Sequence, residues 1–410
     1  MADRDLHADA GWIALLMLLT AMGCDGAPTL DRPEVTVSDS AGLQLVEIPP
    51  LKEFSLPELS ARRLFSTRDV DGREVELFEV LDGLFLPDGS LVLANTGSQE
   101  LIHLGSEGTS SRRIGRRGQG PGEFERLTKL LPAADGGFTA WDYNRFSRYS
   151  PDAEFMEVVR LGYENPVVSL VPLMVSDSGR VAAVLGEQRY FQSSGERRDT
   201  VPLLTWDADG NGPDTVGVWK GLERAFGSLE RSTAFLVPIG FARTVFHASG
   251  GERVAIGSTD SLDVMVYDSD MAPLRRIVAP GRNGEVGRSE ESAWEKRRSS
   301  MVPLDDEGIR KVWNEAPIHE TLPGFEGLQV DPDGSLWIGE ATIPGEALRR
   351  WVIFSPDGIP EAELKVPTEQ FGYLPGRTEL LAVGRDRIAL LRRTRLDEEY
   401  VEVWEVGAQN

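Results

Sequence analysis

Short apolar segments separated by turn residues recur along the chain and predict a repeated strand–turn–strand unit. In the two clearest copies, 86–95 and 331–340, apolar strands flank a Pro-Asp-Gly turn. Weaker copies lie at 134–142, 176–184, 249–257 and 383–391. Asp-Gly supplies the backbone conformation that a tight hairpin turn requires. The pattern therefore predicts an all-β chain built from hairpins.

A second hairpin follows most copies, so the repeating unit is four antiparallel strands. The turn positions of the six copies are separated by 47, 43, 71, 84 and 51 residues, and three of these spacings match a propeller blade. Six such units predict a six-bladed β-propeller. The last unit supplies three strands, so we expect an N-terminal strand, drawn from 35–37 and 43–48, to close the last blade.

The longest spacing predicts a helical insertion at about 284–325, between blades 4 and 5. Its first helix is expected at 289–301, with Ser289 as the N-cap and acidic residues in the first turn. A second helix is expected at 305–316 because apolar residues follow a helical period. Those residues are Ile309, Val312, Trp313 and Ala316. We expect the insertion to pack on one rim of the disc; a lid over a binding site is the alternative.

The N-terminus predicts export. An apolar run at 11–23 is too short to span a membrane as a helix and matches the apolar region of a signal peptide. It ends at Cys24, the only cysteine, after the small residues Ala21 and Gly23. This order is similar to a bacterial lipobox and predicts a lipid anchor on Cys24 in the periplasm or at the cell surface. An ordinary cleaved signal or a buried thiol are the alternatives.

The predicted organisation is therefore a signal peptide at 1–23, a linker at 24–34 and the propeller at 35–410. The net charge of −23 repels phosphate backbones, which argues against a nucleic-acid partner. With one cysteine, no disulfide can form within the chain. We expect a monomer attached to a membrane by its lipid.

Three segments carry a family resemblance. The glycine-rich segment 113–124 (RIGRRGQGPGEF), the segment 37–46 and the segment 334–338 resemble those of bacterial six-bladed β-propeller lipoproteins, within the NHL-like and TolB-like propellers. The resemblance implies a propeller in the envelope and implies no particular activity. The glycine-rich segment lacks the Gly-Lys-Ser/Thr ending of a phosphate loop. We therefore expect it to shape a crossover between blades, with Phe124 anchoring the next inner strand.

Polar residues at the ends of the second strands predict a candidate site at the channel mouth. The candidates are Asn95, Asp142, Asn144, Glu187, Asp260, Glu340 and Arg393. Carboxylate and amide oxygens suit Ca²⁺ or Mg²⁺. A solvated rim is the plainer interpretation, because turns select Asp and Asn for local reasons.

Two functions follow from these patterns. The leading hypothesis is a membrane-anchored interaction platform that binds a protein, peptide or carbohydrate in the envelope, without catalysis. The alternative is a divalent-metal-dependent hydrolase, of the lactonase or phosphotriesterase type, that uses the mouth carboxylates. His247, at an inner strand, is expected to be a core histidine, although it could reach the channel.

Overall fold

A computed structural model gives the fold. It describes residues 33–70, 72–142, 145–160, 170–186, 195–209, 211–227, 235–280, 283–301, 307–368, 380–394, 396 and 398–408. The described chain is nearly all β, as the hairpin pattern predicts. In this part of the chain no helix is long and apolar enough to cross a membrane.

The N-terminal segment forms three strands and a 3-10 turn before the repeated units begin. They are β1 (Thr36–Ser40), β2 (Leu43–Glu47), the turn Leu51–Glu53 and β3 (Leu59–Ser66). Sheet 1 then contains β4 (Val80–Phe85), β5 (Leu91–Asn95), β6 (Glu100–Leu104) and β7 (Ser111–Ile114). Sheet 2 contains β8 (Leu127–Pro132), β9 (Phe138–Asp142), β10 (Arg145–Tyr149) and β11 (Phe155–Arg160).

Sheets 3 and 4 follow, and both carry additional strands. Sheet 3 contains β12 (Leu170–Val175), β13 (Val181–Leu185), β14 (Gly195–Trp206), β15 (Asp214–Gly227) and β16 (Phe235–Val237). Sheet 4 contains β17 (Val245–Gly250), β18 (Arg253–Ser258), β19 (Leu262–Tyr267) and β20 (Pro273–Ala279), extended at its outer edge by β2 and β1.

Two helices precede the last two sheets. They are α1 (Arg288–Met301) and α2 (Glu307–Asn314). Sheet 5 contains β21 (Gly327–Val330), β22 (Leu336–Gly339), β23 (Leu348–Phe354) and β24 (Pro360–Pro367). Sheet 6 contains β25 (Leu380–Val383), β26 (Arg387–Arg393) and β27 (Glu399–Ala408), completed by β3.

The hairpin turns between first and second strands contain the predicted glycines. Gly89, Gly136, Gly179 and Gly334 all have positive φ values, from 79° to 86°, a conformation that glycine adopts without steric cost. The copy at 249–257 differs, because there Gly251 and not Gly250 has a positive φ. An added Cβ on Gly250 would lie 2.3 Å from the Val330 carbonyl oxygen, so this glycine permits close packing of sheet 4 on sheet 5.

The hydrophobic core lies between the sheets. One cluster of buried apolar residues fills each junction between consecutive sheets, and another joins sheet 6 to sheet 1. Trp141 and Trp206 lie between sheets 2 and 3, and Trp351 lies between sheets 5 and 6, all at least 98% buried. The first strands contact one another in chain order, and β25 contacts β4. The arrangement is consistent with a β-propeller.

The N-terminal strands pair differently from the sequence expectation. β2, which contains most of the predicted strand 43–48, runs parallel to β20 at the edge of sheet 4. The strand that pairs with β27 is instead β3. The hydrophobic pattern could not identify β3, because its four residues from Ser60 to Arg63 are exposed and Phe65 alone of the strand is buried.

The first helix begins one residue before its predicted start, and its cap differs from the expectation. The Ser289 hydroxyl donates a hydrogen bond to the Glu290 carboxylate (2.8 Å), which also accepts one from the Gly287 amide (3.0 Å). The amide of Gly287, just before the helix, is therefore satisfied by the Glu290 carboxylate and not by the Ser289 hydroxyl. A carboxylate at this position also suits the helix dipole. The second helix is shorter than predicted and begins at Glu307.

Candidate functional site

The predicted site residues that the structure describes lie at one end of the sheets. Asn95, Asp142 and Arg393 are the last residues of β5, β9 and β26, whereas Asp260 and Glu340 follow β18 and β22 closely. We call this end, where second strands end and first strands begin, the strand-end face. Asn144, Glu187 and Cys24 lie outside the described residues.

Three strand-end side chains hold the loops that lead into the first strands. The Asn95 amide oxygen accepts a hydrogen bond from the Phe78 amide (2.7 Å), just before β4. Asp142 accepts one from the Glu125 amide (3.0 Å) and another from the Arg126 amide, just before β8. In sheet 4 the Thr259 hydroxyl accepts one from the Thr244 amide (2.8 Å) before β17. Each satisfies a backbone donor that the sheet leaves unpaired.

Asp142 also holds the glycine-rich loop together through Arg145. The two side chains are buried and form two hydrogen bonds, of 2.9 and 2.7 Å. The remaining Arg145 donors bind the carbonyls of Gln119 (2.8 Å) and Glu123 (3.0 Å) in that loop. The loop therefore directs carbonyl oxygens inward onto a guanidinium, the opposite of a phosphate cradle. Its last residue, Phe124, is fully buried, which agrees with the predicted structural role.

Glu340 and Arg393 also have partners within their own sheets. Glu340 binds Arg350 (2.9 Å), which also donates to the Glu363 carboxylate and to the carbonyls of Leu51 and Phe54 in the N-terminal segment. Arg393 binds Glu399 (3.1 Å), which accepts the Val80 amide (2.8 Å). Within the described ranges, no group of three or more His, Cys, Asp and Glu side chains could hold a metal ion.

Two insertions meet at the strand-end face next to Asp260. The β14–β15 hairpin is longer than the other hairpins and pairs with β16. Helix α2 packs Trp313 on this sheet, in a cluster with Ala225, Val237 and Ile239. The helical segment therefore rests on the sheet 3 insertion. The two insertions that account for the 71-residue and 84-residue spacings therefore pack against each other.

Arg198 of β14 is at the centre of a charged network that joins the sheet 3 insertion to sheet 4. Its Nε donates a hydrogen bond to the Gly221 carbonyl (2.8 Å). Its Nη1 lies 2.6 Å from the Asp260 Oδ1 and 3.4 Å from the Glu223 Oε1. Its Nη2 is buried and has no hydrogen-bond partner among the described atoms. The guanidinium is thus held on two sides and retains one unused donor.

Glu223 connects Arg198 to the segment after α2. Its Oε2 lies 2.6 Å from the His319 Nε2 and accepts the Arg243 amide (2.7 Å). Burial raises the pKa of the Glu223 carboxyl, but hydrogen bonds from His319 and Arg243 outweigh it and leave that pKa below its ordinary value. The Arg243 guanidinium donates to the Thr321 hydroxyl (2.6 Å) and carbonyl (2.8 Å). Glu223 is therefore an ionised carboxylate that ties sheet 3 to the helical segment.

The network continues towards sheet 5. Arg243 interacts electrostatically with Glu326, which in turn interacts with Arg297 of α1. The Glu326 carboxylate also lies 3.2 Å from Arg349. We call the set the Arg198 network; its members are Arg198, Lys220, Glu223, Arg243, Asp260, Arg297, His319, Glu326 and Arg349. Five cationic residues face three carboxylates here, in a chain whose net charge is −23.

A second set of ionisable groups lies on the first strands. Lys129 of β8 binds Asp82 of β4 (3.1 Å), and Asp82 also accepts the Leu130 amide (2.7 Å). Burial, and after it the Lys129 charge, lowers the pKa of His247 on β17 to about 4. Burial raises the pKa of Asp82 despite the Lys129 charge. His247 is thus a neutral histidine on an inner strand, within the electrostatic reach of Lys129. Its side chain is only partly buried and belongs to none of the apolar clusters, so it is not the core histidine that the sequence predicts.

Among the sequence candidates, Asp260 alone belongs to the Arg198 network. The other members were missed because they come from β14, β15, α1, β23 and the loops around sheets 4 and 5, without a motif spacing. The sequence feature that pointed to this place was the pair of long spacings, of 71 and 84 residues. The spacings locate the two insertions in the chain, but they do not predict that the insertions contact each other.

No protein-family model matches the chain, and no curated protein matches it. Solved structures give distant likenesses. A candidate exported protein from Bacteroides fragilis is 11% identical, over 89% of this chain and 100% of that one, with a TM-score of 0.45. Calcium-binding regucalcin from Agrobacterium tumefaciens is 12% identical, over 87% and 97%, with a TM-score of 0.39. A gluconolactonase from Xanthomonas campestris is 11% identical, over 87% and 96%, with a TM-score of 0.40. At these values the likenesses assign no activity to this chain.

Proposed function

We propose that this chain is an exported six-bladed β-propeller that binds a polar envelope ligand at the strand-end face, without catalysis. The observation that carries the proposal is the convergence of the two insertions on the Arg198 network. Binding sites are commonly built from loops on a rigid scaffold, and here the insertions of sheet 3 and of the helical segment enclose one concentration of charge.

The blade number is supported by three features. The described strands form six sheets, of which four have four strands, one has five and one has six, and every sheet contains four strands in the order of the predicted unit. A separate apolar cluster lies at each of the six junctions. The first strands contact one another cyclically. These are the relations expected of blades arranged radially around a common centre.

Binding is favoured over metal-dependent hydrolysis by the contacts of the predicted mouth residues. Asn95 and Asp142 are buried and use their oxygens on backbone amides, so they serve the scaffold. Glu340 uses its carboxylate on Arg350. The Ca²⁺ or Mg²⁺ site stays a prediction that depends on Asn144 and Glu187. The Arg198 network instead offers donors, which suit a ligand that brings its own oxygen atoms.

Reversing an exposed charge beside the network tests where ligands bind. Lys220 is exposed on β15 and lies within electrostatic reach of Asp260. We expect Lys220→Glu to weaken ligand capture on an array of peptides and envelope carbohydrates by about ten-fold, a change of about 1.4 kcal/mol. Arg62→Glu, at an exposed pair with Glu405 on the outer strands, is the matched control and should leave capture unchanged. Equal capture by the wild type and Lys220→Glu would contradict the proposed location.

The export proposal includes a lipid anchor at Cys24. The apolar run at 11–23 directly precedes this cysteine, and acyl chains provide membrane affinity that an acidic surface lacks. We expect Cys24→Ser to move the protein from the membrane fraction to the soluble fraction after cell lysis and ultracentrifugation. Full retention of Cys24→Ser in the membrane fraction, together with wild-type labelling by a palmitate analogue no higher than in the variant, would refute the anchor.

A further inference from the structure

We infer that the Arg198 network is a carboxylate-binding site in which Asp260 occupies the position of the ligand's carboxylate. The inference rests on the proposed function, since it names the ligand chemistry of the same face. Its basis is the arrangement of donors around one guanidinium and the exposure of the acid that now contacts it.

The Arg198 guanidinium is fixed in place before any ligand arrives. The Gly221 carbonyl accepts from Nε, and Glu223 lies beside Nη1, so the group cannot rotate away without losing both contacts. The side chain is 15% exposed, and the unused Nη2 donor is buried. A buried donor without an acceptor costs free energy, on the order of 1–3 kcal/mol. A ligand oxygen placed there would recover that free energy.

Asp260 shows that a carboxylate fits against this guanidinium. Its Oδ1 lies 2.6 Å from Nη1, while its Oδ2 accepts the Ser258 hydroxyl (2.7 Å). The contact is therefore monodentate, although the end of a guanidinium can bind both oxygens of a carboxylate. The Asp260 side chain is 45% exposed, so it can turn into solvent. A ligand carboxylate that displaced it would engage Nη1 and Nη2 together.

The surroundings favour an anion over a cation at this place. Lys220 and Arg243 add positive charge, and the three carboxylates of the network already contact arginines. The ligand carboxylate would take the place of the Asp260 carboxylate at the guanidinium, so Arg198 keeps one carboxylate partner on Nη1 when the ligand binds. The ligand class is consequently an organic acid or an acidic group on a larger envelope molecule.

Removal of the competing acid gives a distinctive test. The probe is citrate, with its trimethyl ester as the uncharged control, titrated calorimetrically into the full chain in detergent at low salt. We expect millimolar or tighter citrate binding and no binding of the ester. Asp260→Asn should tighten citrate binding about three-fold, and Arg198→Gln should weaken it at least about ten-fold, as expected for loss of a charge-assisted hydrogen bond. Arg62→Gln, at the outer ion pair, is the matched control and should not change it.

The outcomes separate this inference from other arrangements. Weaker citrate binding by Asp260→Asn would overturn it, since that result makes Asp260 a ligand-holding group, as in the predicted metal site. No citrate binding up to about 10 mM, or binding of inorganic phosphate alone, would also overturn it. Arg198→Lys, which keeps the charge but not the paired donors, checks against misfolding and should bind more weakly than the wild type. If the array captures only neutral ligands, and if that capture depends on Lys220, the ligand is not a carboxylate. The proposed function would stand, and the carboxylate inference would be refuted.

Discussion

Replacing Asp142 with alanine is expected to lower the free energy of unfolding by about 3–5 kcal/mol, the cost of removing one partner from a buried ion pair. The side chain is 1% exposed. Its loss strands the Arg145 guanidinium and leaves the amides of Glu125 and Arg126 without their acceptor. Chemical denaturation followed by circular dichroism measures the change.

Asp260→Ala is the matched control, because it also removes a strand-end carboxylate paired with an arginine. Its side chain is 45% exposed, so we expect a loss of about 1 kcal/mol or less. Asp142→Asn, which keeps one oxygen acceptor but not the charge, should lie between the two. If Asp142→Ala and Asp260→Ala destabilise the protein equally, Asp142 does not hold the crossover as described. A loss of ligand or metal binding in Asp142→Ala would therefore need a stability measurement beside it.

His247 should make the protein lose stability in mild acid. Its pKa of about 4 in the folded chain lies below the ordinary value of 6.5, so folding favours the neutral imidazole. Above pH 6.5 the imidazole is neutral in both the folded and the unfolded chain, so it costs no stability. As the pH is lowered towards 4, the unfolded chain binds the proton first and the free energy of unfolding falls. The difference corresponds to about 3 kcal/mol across that interval. His247→Gln removes the titration while keeping a polar side chain.

Denaturation at pH 7 and at pH 4 measures the effect as a difference between the two proteins. The wild type should lose about 3 kcal/mol more than His247→Gln over this interval. The comparison matters because Asp82, whose pKa burial raises, opposes the change and titrates in both proteins. Nuclear magnetic resonance of the imidazole gives the pKa directly. An imidazole that titrates near 6.5 in the folded wild type would contradict the prediction.

The sequence was sufficient for the repeated unit because the repeat depends on local chemistry. Gly89, Gly136, Gly179 and Gly334 are required by the backbone of a tight turn, so the turns are visible at single positions. The strand β3 was not predictable by that means, because its partner β27 lies at the other end of the chain and its exposed residues lack alternation.

The predicted site residues show why a position near the end of a second strand does not predict what a side chain does. Asn95 and Asp142 lie at equivalent positions and bind backbone amides. In sheet 4 that position belongs to Thr259, and Asp260, one residue further along the chain, contacts Arg198. An offset of one residue therefore separates a residue that holds a loop from one that contacts Arg198, and the turn pattern does not fix the register that closely. The Arg198 network depends likewise on contacts between segments far apart, such as Glu223 with His319.

The pairing of β3 with β27 has a consequence for the order of synthesis. β3 is made before the strands of sheets 1 to 5, and β27 is made after them, so sheet 6 cannot be completed until β27 has been synthesised. Before then, β3 and the outer edge of the sheet that it will join are unpaired, and unpaired edges are prone to wrong association. Truncations that remove β27 should consequently leave β3 unpaired as well, and a nascent chain would need protection until β27 emerges.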